Sequence, residues 1–371
     1  MSELGRLTRL KVEGFKSIRS MDLEMRDLNI LIGANGAGKS NLISFFKFMS
    51  KFVDDDLKSY VRQQGGVDRF MHFGRKVTDA ILISMDFDVG SFSSLFVSDV
   101  FGNMAFSLFD GNSIRSHELI RFLKDDAVRS GKFIGSEDAT HLDLMKLYDF
   151  ELMVRSFLRR FDSGVYHFHD VGEVSVIKRD CRTADTDRLR PDGANLAAFL
   201  RFIQTCHPRN YDDIVATVRR VAPFFRDFIL KPNPENPEYI RLKWKHEGTD
   251  DYFDVHDLSD GTLRFICLAT LLLQPNPPSL IILDEPELGL HPYAVELLAG
   301  MMQSAAARTQ VIAATQSVTL ANQFDWQDLI IVDRVDNASE FRRLKESEVE
   351  DWLEHYRMGD IWQKDLIGGT P

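Results

Sequence analysis

Leu28-Asn29-Ile30-Leu31-Ile32-Gly33-Ala34-Asn35-Gly36-Ala37-Gly38-Lys39-Ser40-Asn41 is the stretch that decides the fold. Its first five residues are an extended, mostly apolar run. Gly33 to Ser40 then matches GxxxxGK[ST] in full, and LISFFKFMSKFV reads as a helix. Strand, glycine-rich loop and helix in that order form a phosphate-binding unit. Glycines let backbone N–H groups curl around phosphate oxygens, and the helix that follows aims its N-terminal dipole at the same place. Asn35, Gly36, Ala37, Gly38, Lys39, Ser40 and Asn41 are therefore the candidate nucleotide contacts. Lys39 reaches the β- and γ-phosphates, and Ser40 ligates Mg²⁺.

Working outward, Ser279-Leu280-Ile281-Ile282-Leu283-Asp284-Glu285 is an apolar strand ending in two carboxylates. Such runs are buried strands of a parallel sheet, whose carboxyl ends bind ligands. Asp284 suits a Mg²⁺ partner, and Glu285 suits the base that orients and polarises an attacking water. Strand patterns also precede the loop, at Leu7–Val12, and follow it, at Ala80–Phe87. Helical spacing marks about 114–160 and about 193–220, and Tyr239–Trp244 reads as strand again. We find no repeat, low-complexity tract or sustained heptad.

Composition excludes several classes. Among 371 residues, 45 Lys and Arg stand against 56 Asp and Glu, a net charge of −11. That balance argues against a protein that coats nucleic acid with its whole surface. No apolar run is long enough for a membrane helix, and the start MSELGRLTRL lacks a signal-peptide core. Cys181, Cys206 and Cys267 form neither a CxxC pair nor an even set, which suits a reducing cytoplasm.

Three further segments carry a family resemblance. Leu258-Ser259-Asp260-Gly261-Thr262 resembles the signature segment of ABC-type ATPases, with Asp260 at the second-glycine position. Pro286-Glu287-Leu288-Gly289-Leu290-His291-Pro292 resembles the D-loop, and Gln310 to Ser317 the switch segment. The resemblance implies that Ser259 and Gly261 contact the γ-phosphate held on a second copy. Gln316 stands where many such ATPases carry His, and a neutral amide cannot act as a cation. Gln63 and Gln64 are the nearest counterparts of the Q-loop, with Gln64 as the Mg²⁺ contact and an exposed polar turn as its alternative. Leu10 to Ile18 (LKVEGFKSI) resembles the first strand pair of SMC, RecF and overcoming-lysogenization-defect ATPases, a region near base and ribose that carries Lys16 and Ser17. With Tyr166–Asp170, Leu189–Leu196, LDEPELGLHP and Met358–Gly369, the resemblance extends along nearly the whole chain, to the stand-alone bacterial AAA-15/AAA-21 ATPases of that group.

The expected fold is α/β: an ABC-type P-loop ATPase head with a mixed sheet flanked by helices and a mainly helical inserted lobe. The expected divisions are 1–110 for the N-terminal part of the head, 111–220 for the insertion, and 221–371 for the C-terminal part. The resemblance implies ATP and Mg²⁺, with Glu285, Lys39 and Gln316 catalytic. It also implies a homodimer through an ATP sandwich and a role in DNA repair or anti-phage defence beside a nuclease or other effector. Lys178, Arg179, Arg182, Arg188, Arg190, Arg201, Arg219 and Arg220 are candidates for local DNA or nuclease-partner contact, with a solvated, salt-bridged face as the default reading, and no membrane contact is expected. An ATP-binding scaffold with little turnover and a transporter's nucleotide-binding domain remain alternatives. His167, His169 and Asp170 could share a strand face around a metal; a packed polar strand end is the simpler reading.

Overall fold

The computed structural model describes residues 5–54, 56–88, 90–98, 104–109 and 163–369. In chain order, β1 (Leu7–Phe15) and β2 (Ile18–Glu24) form a hairpin, and β3 (Leu28–Ile32) leads through the glycine loop to α1 (Lys39–Val53) and α2 (Leu57–Gln63). Then come β4 (Ala80–Phe87), β5 (Gly90–Ser98) and β6 (Met104–Phe109). Next are β7 (Ser163–Tyr166), β8 (Cys181–Arg182), α3 (Leu196–Cys206), α4 (Pro208–Val221), β9 (Phe225–Ile229), β10 (Tyr239–Ile240), β11 (Lys243–His246) and β12 (Tyr252–Asp254). The C-terminal run is α5 (Asp260–Leu273), β13 (Leu280–Asp284), α6 (Pro292–Ala306), β14 (Gln310–Thr315), α7 (Val318–Ala321), β15 (Leu329–Val335), β16 (Ala338–Arg343), α8 (Glu350–Leu353) and α9 (Met358–Gln363).

The chain divides into two compact units. One holds residues 1–26, 36–162 and 332–343; the other holds 27–35, 163–331 and 344–371. In the first, an antiparallel sheet runs β2-β1-β4-β5-β6. Strict alternation in β4 buries Ile81, Ile83, Met85 and Phe87 on one face. Helix α1 buries Leu42, Ile43, Phe45, Phe46, Phe48, Met49 and Phe52. Phe15 of β1 meets Phe45 and Phe48 edge-on, with ring centroids 5.7 and 5.6 Å apart. Each such pair adds about 0.5–1.5 kcal/mol beyond the apolar area it buries.

The second unit is built on parallel strands in the order β15-β3-β14-β13-β7. All six residues of β14 are buried, as are Leu280 to Leu283 of β13, the pattern of strands covered on both faces. Helix α5 packs against α4 and α6, and α7 against α9, around one apolar core. A separate antiparallel sheet runs β12-β11-β9.

Of the insertion expected over 111–220, residues 111–162 lie outside the described residues. Residues 163–220 group with the second unit. The physical reason is pairing: β7 hydrogen-bonds along β13, and α4 seats on α5.

Candidate functional site

Parallel register sets the framework. Ile32 of β3 pairs with Thr315 of β14, and Asp284 of β13 pairs with Ala314. The carboxyl ends of β3, β14 and β13 thus stand side by side in the second unit. They present Gly33, Gln316 and the Asp284–Glu285 pair at one edge, where α/β sheets bind ligands.

The glycine loop leaves β3 at this edge and continues into the first unit. Gly36 has φ 79° and an exposed apex with open space where a Cβ would stand. Gly38 has φ 125°, and a Cβ there would lie 1.9 Å from Ser339 Oγ, so only glycine fits. Within the first unit the loop is braced from behind. Ser339 Oγ donates to Ala37 O at 2.5 Å, and Arg334 donates to Gly36 O at 3.2 Å. Ser17 and Ser339 hydroxyls share a 2.6 Å bond, and Asn41 Nδ2 donates to Ser17 Oγ at 2.6 Å. Asn41 therefore holds the loop's support. Helix α1 begins at Lys39 without a side-chain cap from Gly38, which leaves its first turn suited to an anion. Lys39 is buried, while Asn35, Gly36 and Ser40 are exposed. This cradle, with its uncapped helix start, fits a polyphosphate.

Lys16 stands at φ 48° and donates from Nζ to Ser44 Oγ at 2.5 Å, with the ammonium 5.4 Å from the Phe70 ring centroid. Burial, then the neighbouring Lys47, lowers its pKa. Gln64 ends α2 as an exposed turn residue with its N–H on Tyr60 O. Gln63 donates to Ser59 Oγ at 3.3 Å.

At the Asp284–Glu285 edge, Glu285 adopts φ 44°, a left-handed conformation uncommon for a residue with a side chain. Its N–H donates to Ala314 O at 2.8 Å, and its Oε1 accepts from Gln316 Nε2. The amide at the switch position thus contacts the candidate base directly. Glu287 Oε1 accepts from Thr315 Oγ1 at 2.5 Å, and burial pushes the Glu287 carboxyl up from the usual carboxylate range.

Ser259 caps α5, its Oγ accepting from the Thr262 N–H at 3.2 Å, and it is exposed. Asp260 takes Lys178 Nζ at 3.3 Å, and that lysine is 5% exposed. A Cβ on Gly261 would lie 2.6 Å from Gly289 O, so the signature helix and the D-loop turn touch through backbone. Arg264 is a residue that sequence reading missed. Its buried guanidinium donates to Phe168 O at 2.9 Å, to His169 O at 3.1 Å and to Leu288 O. An arginine inside LRFICLATLLL was the available signal, since a cation in an apolar helix needs internal acceptors.

His169 does not act as a metal ligand through Nε2, because that nitrogen donates to the Asp284 carbonyl at 2.7 Å. Among the described residues no group of three His, Cys, Asp or Glu is placed to hold a metal. Nor, among them, is any helix long and apolar enough to cross a membrane.

Against known proteins, a family model described as "AAA domain, putative AbiEii toxin, Type IV TA system" matches residues 28–94 and 112–322, more than half of the chain. The chain belongs to this AAA_21 family. Its fold is that of SMC head domains. An SMC head bound to the C-terminal winged-helix domain of ScpA superposes with TM-score 0.59 at 16% identity, over 94% of this chain and 99% of that one. SMC heads derived from Pyrococcus furiosus and Pyrococcus yayanosii match with TM-scores of 0.53 and 0.52, at 17% and 14% identity. Each covers 94% of this chain, and 98% and 99% of its own respectively. A curated relative, Nod factor export ATP-binding protein I of Rhizobium meliloti (strain 1021), is 38% identical over 85 residues, which span 23% of each chain. The mixed, helix-flanked sheet expected from the sequence is the one that the SMC-head fold carries.

Proposed function

We propose that this AAA_21 chain hydrolyses ATP and works as a nucleotide-driven dimer switch. Two copies close head to tail over two ATP–Mg²⁺ units, and hydrolysis releases them. The observation that carries the reading is the Glu285–Gln316 contact, at the sheet edge where the glycine loop begins.

Each residue has an assigned role. Backbone N–H groups from Asn35 to Lys39 cradle the phosphates, and Lys39 takes the charge of the β- and γ-phosphoryl oxygens. By their sequence motifs, Ser40 and Gln64 of the first unit and Asp284 of the second would be the Mg²⁺ contacts, and Mg²⁺ when bound would supply charge neutralisation across the phosphates. Glu285 orients the attacking water and accepts its proton, while Gln316 holds Glu285 and the water by hydrogen bonds. Ser259 and Gly261 of a second copy complete the γ-phosphate shell at an exposed helix start. Catalysis is positioning plus electrostatics, as in phosphoryl transfer generally.

The biological output we assign is control of a nuclease or other effector in DNA repair or anti-phage defence, with any DNA contact local. Membership in the AAA_21 family and the SMC-head fold support that assignment. Steady-state phosphate release tests the activity, with Glu285→Gln as control. Turnover in the wild type should fall on the order of 10²–10³-fold in that variant. Equal, background-level release from both would favour the second reading, an ATP-binding scaffold, which the neutral Gln316 amide keeps open.

A further inference from the structure

Glu287 is not used by the roles above. It sits in the turn after Glu285, closed by the Leu288 N–H on Glu285 O (3.1 Å) and the Leu290 N–H on Glu287 O (3.0 Å). Leu288 at the tip is 49% exposed. The Glu287 side chain instead reaches β14, where Oε1 accepts from the hydroxyl of the fully buried Thr315. That hydroxyl oxygen also accepts from the Ser317 N–H at 2.9 Å. Gln316, the residue between, donates to Glu285 Oε1. Glu287 Oε2 is shut off from solvent and has no hydrogen-bond partner among the described residues. A carboxyl is costly to bury in this way, and a merely structural contact to one threonine could be made by a smaller or apolar side chain.

We propose that Glu287 is a positioning residue for ATP hydrolysis: through Thr315 it fixes the 315–317 turn and so aims Gln316 at Glu285. The inference rests on the ATPase reading. It also gives the D-loop a physical line to the base, from Leu288 at the tip through Glu287, Thr315 and Gln316 to Glu285.

The test uses the full chain with ATP and Mg²⁺. It measures steady-state kcat and KM, binding of a fluorescent ATP analogue, and folding by circular dichroism. Glu287→Ala should lower kcat about 10–100-fold through misplacement of the 315–317 turn, with analogue affinity within about threefold. Glu287→Gln keeps an acceptor oxygen and should rescue most of that loss. Thr315→Val should match Glu287→Ala, Thr315→Ser should rescue it, and the double variant should be no worse than either single. If Glu287→Ala fails to fold, the Thr315 pair decides. Wild-type release equal to that of Glu285→Gln overturns the ATPase reading and this proposal with it. Turnover abolished by Glu285→Gln but unchanged by Glu287→Ala and Thr315→Val overturns this proposal alone. So does a loss confined to KM.

Discussion

Glu285 combines a left-handed backbone with a direct bond from Gln316, and such conformations persist where the surroundings hold them. Gly38 is the converse, a position where any side chain collides. Gly38→Ala should abolish binding of a fluorescent ATP analogue while circular dichroism stays near wild type, because the Cβ strikes Ser339 at the loop's support. Glu287 sets a pH dependence of stability. Its folded pKa is raised by burial, so its contribution is full below the unfolded carboxylate value and is lost as pH rises through the folded value. Urea midpoints of the wild type should therefore fall more with rising pH above the ordinary carboxylate range than those of Glu287→Gln. An identical slope for the two would refute this. At this scale the glycine loop and the strand-end carboxylates were legible because GANGAGKS and LDE are motifs of particular residues at particular spacings. The bonds of Glu287 and His169 were not legible, since both depend on partners brought close by strand pairing.

Helix α5 shows how an element carries both stability and presentation. Ser259 caps it, Gly261 lets the D-loop turn approach, and Arg264 ties it to the 168–169 backbone and to Leu288. Arg264→Met should cost about 2–4 kcal/mol in urea unfolding, because several buried carbonyls lose their donor. A loss under about 1 kcal/mol would mean that water or a neighbour replaces the guanidinium. The helix itself reads from LSDGTLRFICLATLLL, and the buried strands read from their apolar runs. The role of β7 does not. Ser163–Tyr166 becomes a sheet strand only because β13 pairs with it, a contact between segments far apart in sequence.

For the whole molecule, the mixed α/β head was visible in the order strand, loop, helix, signature and acidic strand. The grouping of residues 163–220 with the second unit was not, because compactness follows pairing across distant segments and not composition. The −11 balance argues against a surface that coats nucleic acid as a whole, and under the proposed switch any nucleic-acid contact would be local or delegated. Ser259, exposed at a helix start, and Leu288, exposed at the D-loop tip, are surfaces that a second copy would cover. The switch model therefore stands or falls on mass. Light scattering on Glu285→Gln with saturating ATP and Mg²⁺ should give twice the monomer mass, reverting to monomer when nucleotide is removed. A monomer mass with ATP and Mg²⁺ bound at saturation would contradict the account.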